Sequence, residues 1–127
     1  MRLIVDTVTF VGALSSSERI SRAAMSALQS VAAVREISTV SLSEIAIKQA
    51  RGKLTFGKDD VIAGVADLRL RILPYTADHA FRLFDPPLHH ADPFDRQIIA
   101  QALAENIPVV TGVRSLQGTE DHLVIYS

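Results

Sequence analysis

The apolar runs of this chain are short, and they are continuous instead of alternating. Leu3-Ile4-Val5 stops at Asp6, and further runs read as strands at 34–40, 71–73, 109–111 and 123–126. A strand with one wet face alternates apolar and polar residues, whereas a strand buried on both faces does not. Segments with helical spacing lie between these runs. They are 17–31, with Ile20, Ala23, Ala24, Ala27 and Leu28 on one side, then 41–51 stopped by Gly52, 59–70, 76–84 and 93–105. Strands alternating with helices over 127 residues predict one α/β domain spanning 1–127, a three-layer α/β/α sandwich around a mostly parallel sheet.

Composition narrows the function classes. A hydrophobic fraction of 48% suits a packed core and excludes a disordered chain. The formal charge of −1 carries no overall signature of nucleic-acid binding, so any such contact is local. Cysteine is absent, which excludes disulfides and thiolate metal sites. No apolar run approaches the ~20 residues that span a bilayer, and the start "MRLIVDTVTF" lacks the apolar core of a signal peptide. The expectation is a cytoplasmic protein with no membrane contact.

The acids are the informative residues. In a parallel α/β sheet the strands end on one edge, and the helices that come after them begin there. Asp6 ends the first strand. Glu44 falls in the first turn of a helix starting at Ser41, and Asp95 in the first turn of the helix leading to the strand at Val109. Thr111 is the tip of that strand. Each acid also has a capping reading. Asp92-Pro93 is an N-cap with proline next to it, Ser41 to Glu44 matches a capping box, and Asp6 can cap the segment after the first strand. Asp92 suffices as a cap, however, while Asp95 shares a stripe with Ile98, Ile99 and Ala102 that turns its carboxylate toward the core. Three converging carboxylates raise one another's pKa unless a cation neutralises them, and oxygen donors favour Mg²⁺ or Mn²⁺. This reading makes Asp92 structural and Asp95 a metal ligand.

Cations flank the same edge. Lys48, four residues after Glu44, is either a helix-face ion pair or a phosphate contact, and Arg96 and Arg114 are solvated or hold phosphate. His89 and His90 shape a rim loop, since no second ligand cluster supports zinc. His79 and His122 read as surface residues. No glycine-rich phosphate loop is present.

Four stretches resemble the PIN-domain ribonucleases, and within them the VapC-like toxins of bacterial toxin–antitoxin pairs. They are "LIVDT" at 3–7, "STVSLSEIAIKQARGKL" at 38–54, "PPLHHADPFDRQIIAQA" at 86–102 and "IPVVTG" at 107–112. The resemblance implies an RNA-cleaving enzyme using Mg²⁺ or Mn²⁺, with Asp6, Glu44 and Asp95 as its acids. It implies Thr7 as the hydroxyl often found after the first acid, a cognate antitoxin that blocks the site, and a homodimer. Thr7 and Thr111 then position water or metal ligands. The chain departs from the pattern at Val113, where relatives usually carry a further aspartate, and at Val8, Gly12 and Ser43. Glu120 or Asp121 can supply the missing charge from the next loop. Two alternatives stay open. One is a degenerate domain that binds its partner without cleaving RNA, to which Val113 points. The other is an aspartate-based phosphatase, which wants a second acid where Val8 stands.

Overall fold

The computed structural model describes residues 1–15, 20–85 and 92–111, together with the backbone of 123–124. Strand β1 (Arg2–Val5) lies at the centre of the sheet, with β2 (Val34–Ser38) on one side and β4 (Val109–Val110) on the other, both parallel to it. β3 (Arg71–Leu73) extends the sheet beyond β2, again parallel. β5 (Leu123–Val124) runs antiparallel against β4, giving the order β3-β2-β1-β4-β5. The described residues also form the α-helices α1 (Thr7–Ser15), α2 (Arg22–Gln29), α3 (Thr39–Ala50), α4 (Lys58–Asp67), α5 (Ala77–Phe81) and α6 (Pro93–Glu105).

The continuous strands are explained by two cores. Leu3, Val5, Ile37 and Val110 face one side, against Phe10 of α1, Ala24 and Leu28 of α2, and Ile45 of α3. Ile4 and Val109 face the other, against Ile98 and Ala102 of α6. Successive side chains of a strand point to opposite faces, so a strand covered on both sides needs apolar residues at every position. The protein is a three-layer α/β/α sandwich, as the alternation predicts. α4 lies so close to α1 that a β-carbon on Gly64 would sit 2.7 Å from the Leu14 methyls, so a larger residue there would force Leu14 to shift.

Several boundaries differ from the sequence expectation. A whole helix, α1, occupies 7–15 where none is expected, because its apolar residues do not form a clean stripe. Asp6 caps it, accepting the Thr9 amide at 2.9 Å. The second strand stops at Ser38, whose hydroxyl accepts the Val40 amide and starts α3 two residues before Ser41. The Ser41–Glu44 capping box is therefore overturned, and Glu44 lies in the second turn of α3. The helix expected over 17–31 begins at Arg22, capped by Ser21. Helix α6 runs over 93–105 as expected, capped by Asp92 through the Phe94 and Asp95 amides. Asn106, with φ 56°, ends it in the left-handed conformation that asparagine tolerates.

His79 is also a correction. It is 2% exposed, not a surface residue. Its Nδ1 accepts the Thr76 amide at 3.0 Å, and its Nε2 lies 3.0 Å from Glu105 Oε2. Arg2 reaches the other oxygen of Glu105 at 3.0 Å and grips both oxygens of Glu36 at 2.8 and 3.1 Å. This clasp joins β1, β2, α5 and α6 near the amino end of the central strand.

Candidate functional site

The chain leaves β1 for β2 on one side and returns to β4 on the other, so a topological switch point lies between the tips of β1 and β4. Open parallel sheets bind ligands at such crevices. Asp6 and Thr111 flank it. Asp6 comes directly after β1, donates its backbone amide to Val110 O at 3.1 Å, and accepts from Thr9 through both the amide and the hydroxyl. The Thr111 hydroxyl also hydrogen-bonds the Asp6 carboxylate. Burial pushes the Asp6 carboxyl above the ordinary aspartate range, the Thr9 and Thr111 bonds oppose that shift, and the nearby negative charge of Glu44 adds to it.

Glu44 projects from α3 and is 2% exposed. Its Oε2 accepts Lys48 Nζ at 2.6 Å. Its Oε1 is buried and finds no hydrogen-bond partner among the described residues. A buried carboxylate oxygen without a donor is costly, because water solvation has been removed and nothing replaces it. That orphan oxygen is what a cation at this edge would satisfy.

Asp95 is half-buried at the third position of α6, a helix that packs against α3. Its charge and that of Asp92 both act on Lys48. The ammonium is held well up as a cation, chiefly by its hydrogen bond to Glu44, with the three acids reinforcing it. Thus Asp6 senses Glu44, and Lys48 senses Glu44, Asp92 and Asp95. Two overlapping sets of charges result, Asp6 with Glu44 and Lys48 with Glu44, Asp92 and Asp95.

They do not form a closed cage. Among the described residues no group of three histidine, aspartate or glutamate side chains is arranged to hold a metal ion. The donor chemistry fits a hard divalent ion, since every candidate is a carboxylate and one buried oxygen stands open. Lys48 supplies the positive charge at Glu44.

The remaining sequence candidates fall into three places. Thr7 does not face the crevice: its buried hydroxyl donates to Ser41 Oγ at 2.8 Å and ties α1 to α3. Arg96 is exposed on α6, beside Asp95. His89, His90, Val113, Arg114, Glu120, Asp121 and His122 lie outside the described residues. Thr9 and Ser41 are site-supporting residues that the sequence reading missed. The spacing Asp6-x-x-Thr9 is the signal that could have found Thr9, because an N-cap aspartate meets the third residue of its helix. A separate pocket of about 320 Å³ between α3 and α4, lined by Leu42, Ile45, Phe56 and Val61, is apolar and contains none of these acids.

The PIN-domain family model matches residues 3–112, and the chain belongs to that family, whose members are generally nucleases that use divalent metals. Among solved structures, the chain is similar to one in VapBC2 from Rickettsia felis bound to a DNA fragment from their promoter. The TM-score is 0.63 at 22% identity, over 87% of each chain. Comparison with curated proteins finds no match. Among the described residues no helix is long and apolar enough to cross a membrane.

Proposed function

We propose that this protein hydrolyses RNA phosphodiester bonds with Mg²⁺ or Mn²⁺ held by Asp6, Glu44 and Asp95, as the toxin of a toxin–antitoxin pair. The observation that carries this reading is the buried Oε1 of Glu44, unpartnered among the described residues and in the same electrostatic field as Asp6. A buried carboxylate oxygen without a donor calls for a partner, and a bound cation is one that the neighbouring acids favour. When bound, the cation supplies an acidified water and shields phosphate charge. The chain's own residues do the rest. Thr9 and Thr111 fix the Asp6 carboxylate in orientation. Glu44, through Oε1, completes the ligand set or orients the attacking water. Lys48 and Arg96 are the cations nearest to hold phosphate oxygens. Thr7 acts at one remove, by holding α1 against the helix that carries Glu44. Single-stranded RNA is the substrate, because a splayed backbone reaches acids at a sheet edge more readily than a duplex does.

Likeness to a chain of VapBC2 supports a cognate antitoxin as partner. A homodimer and a cytoplasmic setting belong to the same reading. The test is expression of the protein alone, with growth and RNA integrity monitored, beside Asp6→Asn and Asp95→Asn. Arrest and Mn²⁺-dependent cleavage are expected for the wild type. Each variant should lose at least about 100-fold in cleavage, since even outer-shell partners of a metal are worth 10–100-fold. Arrest that persists unchanged in both variants rejects the metal nuclease. Partner binding with no cleavage at any Mg²⁺ or Mn²⁺ concentration selects the degenerate domain instead.

A further inference from the structure

Helical spacing alone places Lys48 one turn beyond Glu44, and exposed pairs of this kind contribute little. This pair differs because its acid is buried. The Glu44 side chain is 3% exposed and that of Lys48 38%, so one partner is locked in the fold while the other reaches it from the surface. Glu44 Oε2 is 2.6 Å from Nζ, and Oε1 has no partner among the described residues. Asp92 and Asp95, at the start of α6, add their charges at the same ammonium. The Asp92 carboxylate is committed to the helix cap. One lysine thus stands against a buried carboxylate of α3 and in the field of two acids at the start of α6.

We propose that Lys48 is a built-in counter-ion, which holds Glu44 in the metal-free protein and is displaced from it when a divalent cation enters. The inference rests on the metal-nuclease reading above. Without Lys48, the buried Glu44 carboxylate would face the other acids uncompensated. With Lys48, the acids stay assembled, and an incoming cation must compete for Oε2. Exchange needs only rotation of a half-exposed, four-carbon side chain, with no movement of α3. The released ammonium remains tethered at the rim, within reach of a substrate phosphate. Lys48 therefore weakens metal binding while stabilising the empty site.

The experiment measures Mn²⁺ binding to the full chain, stripped with EDTA, by the electron paramagnetic resonance of free Mn²⁺. Melting temperature in EDTA is recorded alongside. Lys48→Met keeps the apolar stem and removes the charge. It should bind Mn²⁺ about tenfold more tightly than wild type, the scale of one unit charge at short range in a partly solvated site, and melt several degrees lower in EDTA. Lys48→Arg keeps the charge and should stay within about threefold of wild type in affinity. If Lys48→Met does not fold, Lys48→Gln carries the same expectation. Equal or weaker Mn²⁺ binding by the neutral variant overturns the counter-ion role while leaving the metal reading intact, provided wild type binds. Absence of Mn²⁺ binding in wild type and variants alike overturns both.

Discussion

The two ends of the central sheet use the same residue types to opposite effect. Near the amino end of β1, Glu36 and Glu105 are each met by donors. Arg2 grips Glu36 with two nitrogens and Glu105 with a third, and His79 closes the second oxygen of Glu105. At the carboxyl end, the charges of Glu44, Asp92 and Asp95 act on Lys48, Asp6 feels the charge of Glu44, and one buried oxygen of Glu44 has no partner among the described residues. The electrostatic consequences are opposite in sign. The His79 hydrogen bond and Arg2 hold the Glu105 carboxyl below the ordinary range, whereas burial pushes Asp6 above it. One end pairs its charges, and the other leaves a buried carboxylate only partly paired among the described residues. Local electrostatic conflict at a functional site, offset by consistency elsewhere, is how folded proteins commonly accommodate chemistry.

Three measurements sharpen or break this contrast. The largest effect is expected at the clasp. Glu36→Gln removes a buried carboxylate from a two-nitrogen grip and should cost about 2 kcal/mol in chemical denaturation, with Mn²⁺ affinity unchanged. A loss of metal binding there would show that the two ends are coupled.

The opposite sign is expected at the site. In EDTA at neutral pH, Asp6→Asn should gain about 1 kcal/mol, because it removes a buried charge while keeping an acceptor for the Thr9 amide. The direction of the shift sets the pH dependence. A raised folded-state pKa penalises the ionised acid, so the penalty is full above the raised value and absent below the ordinary aspartate value. The advantage of Asp6→Asn should therefore vanish as pH falls toward about 4. Destabilisation by Asp6→Asn in EDTA would remove the strain argument.

The smallest effect is at Glu105, which is partly exposed. Its lowered pKa means that its contribution is present above the ordinary glutamate value and is lost as pH falls through the folded-state value. Wild type should exceed Glu105→Gln by no more than about 1 kcal/mol at pH 7. The difference should close progressively below about pH 4. A gap that persists at low pH would assign the clasp to packing instead of charge.

Much of this architecture is legible in the chain itself. Continuous apolar strands imply a sheet covered twice, and the Asp92-Pro93 cap locates α6 to the residue. Topology alone leads to the expectation that Asp6, Glu44 and Asp95 converge on one edge, and the spacing puts Glu44 one turn too early. That misplacement has a local cause. Ser38 and Ser41 are both competent caps, and only the end of β2 pairing with β3 at Ser38 and Leu73 decides between them. His79 escapes the sequence for a related reason. A histidine beside polar residues reads as exposed until Glu105, 26 positions away, is found against its ring.

The linear pattern of apolar and acidic residues determined the layer architecture and which edge of the sheet collects negative charge, because side-chain period and strand direction are local properties. Only the folded chain decided that Thr7 turns inward to Ser41, that Lys48 closes on one oxygen of Glu44, and that the other oxygen meets no donor among the described residues. Those outcomes depend on desolvation and on distances between helices that no spacing along the sequence encodes.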